Sequence, residues 1–169
     1  TLAKQVQLDE IDWPQADQWW QTLWPAGEKE AAKRLSRFLN NKIKDYKQNR
    51  DIPAVKGTSS LSAYLNSGVI SVKTCWDKTD SLKDLESVQT WRTELLWRDF
   101  YKYVMHHYPY VCKKQAWNSL YQDIRWRKDP SDFQAWANGE TGFPLIDAAM
   151  RQLKQTGWMH NRLRMVVAM

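Results

Sequence analysis

From Gly27 onward the apolar positions recur every three or four residues, and Ala31, Leu35, Phe38, Leu39, Ile43 and Tyr46 fall on one face of a helix. Lys42, Lys44, Lys47 and Arg50 gather toward its end, and Ile52-Pro53 stops it. The spacing next predicts a short helix over residues 61–66, ended by Gly68, and another after Ser71. The longest helix is expected from about residue 82 to 107, closed by Pro109. Further helices are predicted over about 114–125 and over 131–137, the latter with Asp129-Pro130 before it and Gly139 after it. Pro144 starts a helix that Gly157 stops, and a second helix follows at once. No alternation of apolar and polar residues persists long enough for a strand. The fold class is all-α.

Residues 1–26 break the pattern. They are poorly periodic and carry Pro14, Pro25, Trp13, Trp19, Trp20 and Trp24, which reads as a connector packed against something outside this chain. Eleven Trp and seven Tyr in 169 residues is a heavy aromatic load, most of it expected in the core, Trp117 and Trp136 included. Lys+Arg 25 against Asp+Glu 19 gives a net charge of +6, which is compatible with a polyanionic partner without demanding one. Cys75 and Cys112 match neither a disulfide framework nor a metal-ligand spacing, so no metal is expected and a reducing compartment fits. No apolar run approaches the ~20 residues of a membrane span. Thr1-Leu2-Ala3-Lys4 has no cationic-then-apolar leader pattern. A cytoplasmic protein, cut at its N-terminus, is the expectation.

Four constellations could carry chemistry. In Gly57-Thr58-Ser59-Ser60-Leu61-Ser62, hydroxyls and free amides at a helix start suit a phosphate or diphosphate, although an ordinary Ser/Thr cap is the commoner use. Tyr46-x-x-x-Arg50-Asp51-x-Pro53 precedes it. On the long helix Glu94, Trp97, Arg98 and Tyr101 lie at i, i+3, i+4 and i+7 and share a face. Such a face can hydrogen-bond a pyrimidine edge, stack on its ring and neutralise a phosphate; a plain Glu94–Arg98 surface pair is the alternative. Trp126 stands between cations in Ile124-Arg125-Trp126-Arg127-Lys128, where a surface cation–π cluster is the simpler reading. Last, Trp158-Met159-His160-Asn161-Arg162-Leu163-Arg164-Met165 opens a helix with polar and cationic side chains. By itself His160 reads as a helix-start histidine without catalytic work.

Taken together and in this order, these segments resemble the photolyase/cryptochrome family, specifically the flavin-binding half of bacterial DNA photolyases. The resemblance covers roughly residues 26–169. It implies an all-helical FAD-binding domain over 27–169, lacking its C-terminal portion because the last helix has no stop signal, with 1–26 leading from an N-terminal α/β antenna domain. It implies that Tyr46, Thr58, Ser59, Ser60, Leu61, Ser62, Trp91, Glu94, Arg98 and Arg164 contact FAD. Arg50, Glu94, Trp97, Tyr101, Asn161, Arg162 and Met165 would meet DNA and its pyrimidine dimer, and the Trp-Met-His-Asn-Arg wording resembles the branch acting on cyclobutane dimers. Glu94 and Trp126 are the implied catalytic residues, Trp126 as the outermost member of an electron-relaying tryptophan chain. Cys112-Lys113 would face a folate antenna if the parent uses one; a deazaflavin is the other antenna choice. The implied activity is light-driven repair of cyclobutane pyrimidine dimers by electron transfer from excited reduced FAD, in a monomer. A cryptochrome-type blue-light photoreceptor and a helical DNA-binding module without cofactor are the alternatives.

Overall fold

The computed structural model describes residues 18–168. Among these the elements are helical: α1 (Gln18–Leu23), α2 (Glu28–Asn41), α3 (Tyr46–Asn49), α4 (Ser62–Asn66), α5 (Val72–Asp77), α6 (Glu86–His107), α7 (Pro130–Asn138), α8 (Pro144–Thr156) and α9 (Asn161–Val167), with short 3-10 turns between some of them. No strand occurs among the described residues, in line with the all-α reading.

Two apolar clusters organise the chain. The larger gathers Ala31, Leu35 and Phe38 of α2 with Ile43, Tyr46, Leu61, Tyr64, Cys75 and the α6 residues Val88, Trp91 and Leu95. The expected single helix through Arg50 is instead broken. After Asn41 the chain turns at Lys42, whose N–H still reaches the Phe38 carbonyl, and continues as a 3-10 turn, Ile43–Asp45, and then α3. The break lets Ile43 and Tyr46 both point inward, which spacing alone cannot distinguish from a straight amphipathic helix. Ser87 holds this turn onto α6: its hydroxyl donates to the Lys44 carbonyl at 2.7 Å and accepts the Lys47 N–H at 3.3 Å.

The long helix starts at Glu86 rather than near 82, because Asp80–Leu82 is a separate 3-10 turn. That turn serves a buried cation. Arg92 Nε donates to Thr79 Oγ1 at 2.8 Å, and its Nη2 donates to Asp80 at 2.6 Å and to the Trp76 carbonyl at 3.1 Å. A buried guanidinium is tolerated only when its donors are met in this way.

The second cluster holds Ala149, Met150, Met159 and Leu163, from α8, α9 and the turn between them. Trp136 of α7 packs against it, and its Nε1 donates to the Val167 carbonyl at 2.9 Å, as its core assignment requires. At the start of α8 the Asp147 carboxylate accepts from Thr141 N, Thr141 Oγ1 and Gly142 N. These bonds, the Thr141 hydroxyl foremost, pull its carboxyl below the usual range.

Three further expectations need correction. Residues 114–125 form no α-helix; Ser119–Tyr121 is a 3-10 turn in otherwise irregular chain. Leu120 is 82% exposed, so no apolar face is buried to hold a short helix together. Trp117 is not in the core but 53% exposed, its ring 4.5 Å from that of Tyr108. Finally, Trp20 and Trp24 do not face outward. Trp24 Nε1 donates to the Thr156 carbonyl at 2.8 Å, and a Cβ on Gly157 would stand 2.7 Å from the Trp20 ring. Residues 18–26 therefore pack on the helical unit itself, while Trp13 and Pro14 lie outside the described residues.

Cys75 is fully buried and Cys112 exposed; burial pushes the Cys75 thiol up to about 11. Among the described residues no helix is long and apolar enough to cross a membrane, and no cluster of His, Cys, Asp and Glu could hold a metal ion.

Candidate cofactor and nucleic-acid cleft

A cleft of about 730 Å³ opens where α6, the loop before α4 and the start of α9 converge. Its α6 wall follows from one helical face: Trp91, Glu94, Trp97, Arg98 and Tyr101, then Lys102 and Met105. Trp97 stacks on Tyr101 with centroids 6.0 Å apart and planes 29° from parallel, and Phe100 meets Trp97 edge-on at 5.5 Å. These rings stay largely exposed, so the wall presents open aromatic faces.

The opposite wall is the segment 58–62 with Tyr46 beneath it. Gly57 lets this segment run against the end of α3, since a Cβ there would lie 2.6 Å from Asn49 Cβ and 3.0 Å from its carbonyl oxygen. Leu61 is buried and anchors the segment, and Ser60 adopts a φ of 52°, uncommon for a residue with a side chain. Among the described residues, the amides of Thr58, Ser59 and Ser60 donate to no protein acceptor, and their hydroxyls have no protein partner. Such a row of open donors is what an anion requires. Tyr46 is buried, and burial above all pushes its phenol up to about 12.

Glu94 pairs with Arg50, not with Arg98: Arg50 Nη1 donates to its carboxylate at 2.7 Å. Arg98 instead donates through Nη2 to the Leu65 carbonyl at 2.7 Å, and its Nε is buried without a partner. The third wall carries Trp158, Met159, Asn161 and Arg164. Arg164 Nε donates to the Met159 carbonyl at 3.3 Å. His160 between them is buried and caps α9, its Nδ1 accepting the Arg162 N–H at 3.1 Å. Burial is the main influence holding its imidazole below the usual range, partly offset by the Arg50 backbone and Asp51.

The cleft thus gathers Tyr46, Thr58, Ser59, Ser60, Leu61, Ser62, Trp91, Glu94, Trp97, Arg98, Tyr101, Asn161 and Arg164. Arg50 and Arg162 stand beside it, both bonded to Asp51, and Met165 does not line it. Trp126 is also outside it, 76% exposed in irregular chain. Sequence reasoning assigned no role to the lining residues Lys102, Met105, Leu65 and Leu95, while Trp158 and Met159 entered it only as part of the 158–165 segment. The first two continue the Glu94 face by i+8 and i+11, so helical spacing alone could have found them.

Residues 91–169 match the family described as the FAD binding domain of DNA photolyase. A deoxyribodipyrimidine photo-lyase of Neurospora crassa is 48% identical over 154 residues, covering 87% of this chain and 25% of its own length. Its counterpart in Vibrio cholerae is 43% identical over 162 residues, covering 94% of this chain and 34% of its own. Among solved structures, a bacterial class III photolyase from Agrobacterium tumefaciens superposes with a TM-score of 0.84 at 39% identity, over 88% of this chain and 31% of that one. A Synechocystis cryptochrome gives 0.76 at 32% identity, over 85% and 31%. The chain spans about a quarter to a third of the length of these relatives. In sequence and in fold, it belongs to the DNA photolyase/cryptochrome family and corresponds to part of that family's FAD-binding region.

Proposed function

We propose that this chain is the FAD-holding and lesion-reading part of a deoxyribodipyrimidine photo-lyase, which repairs cyclobutane pyrimidine dimers in DNA under blue light. One observation carries the reading: a single cleft joins a wall of unpaired amides and hydroxyls to a wall bearing a carboxylate beside stacked aromatic rings. The first suits the diphosphate of a dinucleotide, and the second suits a pyrimidine pair turned out of the helix. The relatives' shared name supports the same reading. In this proposal residues 27–169 belong to the FAD-binding helical domain, and 1–26 lead from an antenna domain of the parent, whose pigment is a folate or a deazaflavin.

The residues present fit FAD. The unpartnered Arg98 Nε and the open amides of 58–60 are donors awaiting acceptors, and buried donors are seldom left unmet. Thr58, Ser59, Ser60 and Ser62 would hold the diphosphate, with Tyr46 and Leu61 packed beneath and Trp91, Arg98 and Arg164 against the remainder. When bound, reduced FAD supplies a light-excited electron donor for opening the cyclobutane ring and recovers the electron afterwards. The chain's own part is placement. Glu94 accepts a hydrogen bond from the N3–H of a dimer base, Trp97 and Tyr101 cover the dimer's apolar face, and Asn161 and Met165 meet its other side. Arg50 and Arg162 bind the flanking phosphates. Trp126 relays electrons to oxidised flavin from the surface.

The parent is further proposed to act as a monomer in the reducing cytoplasm, consistent with one buried and one unpaired exposed thiol. A cryptochrome-type photoreceptor, suggested by the Synechocystis neighbour, has no need of the Glu94–Trp97 wall. The test uses the full-length parent. Flavin absorption bands together with loss of dimers from irradiated DNA under blue light are expected; flavin without repair would hand the reading to the photoreceptor, and no flavin would reject both.

A further inference from the structure

Asp51 joins two arginines that lie 111 residues apart in the chain. Its Oδ1 accepts from Arg162 Nε at 2.7 Å and from Arg50 Nε at 3.4 Å. Arg50 in turn donates through Nη1 to Glu94, so the charges run Glu94, Arg50, Asp51, Arg162 without interruption. Arg50 follows α3 and belongs to the larger apolar cluster's side, whereas Arg162 sits in the first turn of α9, on the other cluster's side. Asp51 is therefore a polar joint between the two halves, beside the cleft.

The atoms used on each guanidinium matter. Asp51 takes only the Nε edge of both arginines. Among the described residues, both Nη groups of Arg162 and Nη2 of Arg50 have no protein acceptor. A guanidinium tied at Nε cannot turn freely, so its Nη edge keeps one orientation, and that edge is the fork which takes a phosphate. An anion that merely occupied the phosphate's place would be expected on the Nη groups instead. Two like charges this close also repel, and the shared carboxylate offsets that repulsion. The Arg162 hydrogen bond accordingly holds the Asp51 carboxyl below its usual range.

We propose that Asp51 is a positioning residue for nucleic acid: it orients Arg50 and Arg162 as a two-armed clamp whose free Nη groups grip backbone phosphates of the lesion-bearing strand. The inference rests on the DNA-repair reading above. It makes Asp51, an acid, favour binding to a polyanion.

That sign is what the experiment reads. In the flavin-loaded full-length parent, Asp51→Asn keeps the shape and removes one negative charge. By charge alone the variant would bind duplex DNA more tightly and with a steeper salt dependence. The clamp requires the opposite, a loss of affinity for dimer-containing duplex of roughly three- to tenfold, seen in the half-saturating DNA concentration rather than in the maximal repair rate. Asp51→Glu, which retains a carboxylate, should recover part of the loss. Once Arg162→Ala is present, Asp51→Asn should add only the smaller part of its loss that acts through Arg50. Equal or tighter binding by Asp51→Asn, a full additional loss in the Arg162→Ala background, or loss of flavin absorbance would each overturn the proposal. A parent that binds dimer-bearing and plain duplex alike would instead sink the repair reading. The clamp would still be judged in that case, by the shift of Asp51→Asn on plain duplex, because both share the same phosphates.

Discussion

Arg50 donates to Glu94 at 2.7 Å across 44 residues of sequence, fixing the carboxylate that faces the cleft. Because the pair is partly buried and Glu94 lines the cavity, the carboxylate arrives at its proposed substrate already oriented. Glu94→Ala in the full-length parent is therefore expected to lower repair by roughly tenfold to a hundredfold, the scale of one hydrogen bond to a charged group. Flavin absorbance should be retained, since Glu94 is not among the open donors of the loop wall. Loss of flavin with the mutation would mean that Glu94 serves the cofactor and not the lesion.

The loop wall depends on Gly57. A methyl group there collides with Asn49, whose backbone oxygen would lie 3.0 Å from it, so either the loop or the end of α3 must move. Gly57→Ala is expected to cost about 1–3 kcal/mol of stability, in line with other small-to-large changes at packed sites. It should also weaken flavin retention, because Thr58 and Ser59 follow directly. Flavin titration beside thermal melting checks both. Unchanged flavin affinity would show that the 58–60 amides do not hold the cofactor.

Periodicity was a sound guide where a helix is long and continuous and a poor one where nothing holds a helix together. Glu94, Trp97, Arg98 and Tyr101 line the cleft as their spacing required, because α6 is continuous from Glu86 to His107 and its register cannot drift. The segment around Trp117 and Leu120 has helix-compatible residues but, among the described residues, buries no apolar face, so propensity had little tertiary support. The bend at Lys42 was hidden for the converse reason, since inward residues at i+3 and i+4 continue across it. Least legible was the choice of ion-pair partner. Glu94 and Arg98 are neighbours on one helix, yet Arg50 from another element takes the carboxylate, and only the tertiary arrangement decides that.

Trp126 lies outside the cleft and is largely exposed, so its proposed relay role is separable from lesion binding. Trp126→Phe keeps an aromatic ring but removes the easily oxidised indole. The expected result is loss of photoreduction of oxidised flavin, while chemically reduced enzyme repairs at the normal rate. Photoreduction at the parental rate would remove Trp126 from any relay.

His160 gives the fold a pH dependence of known sign. Its Nδ1 accepts the Arg162 N–H, which requires the neutral ring. Burial first, and Arg162 with it, hold the folded pKa below that of the unfolded chain, about 6.5. The unfolded state therefore takes up the proton first as pH falls. Stability is fully present above about pH 6.5 and declines as pH drops from there toward the lowered folded value. Protonation would also remove the α9 cap and place a cation beside Arg50 and Arg162, loosening the clamp that Asp51 maintains. Melting of the full-length parent between about pH 7.5 and 5 should show a steeper decline than that of His160→Asn, which can still cap the helix but does not titrate. Parallel curves for the two proteins would mean that His160 does not change charge on unfolding in this range.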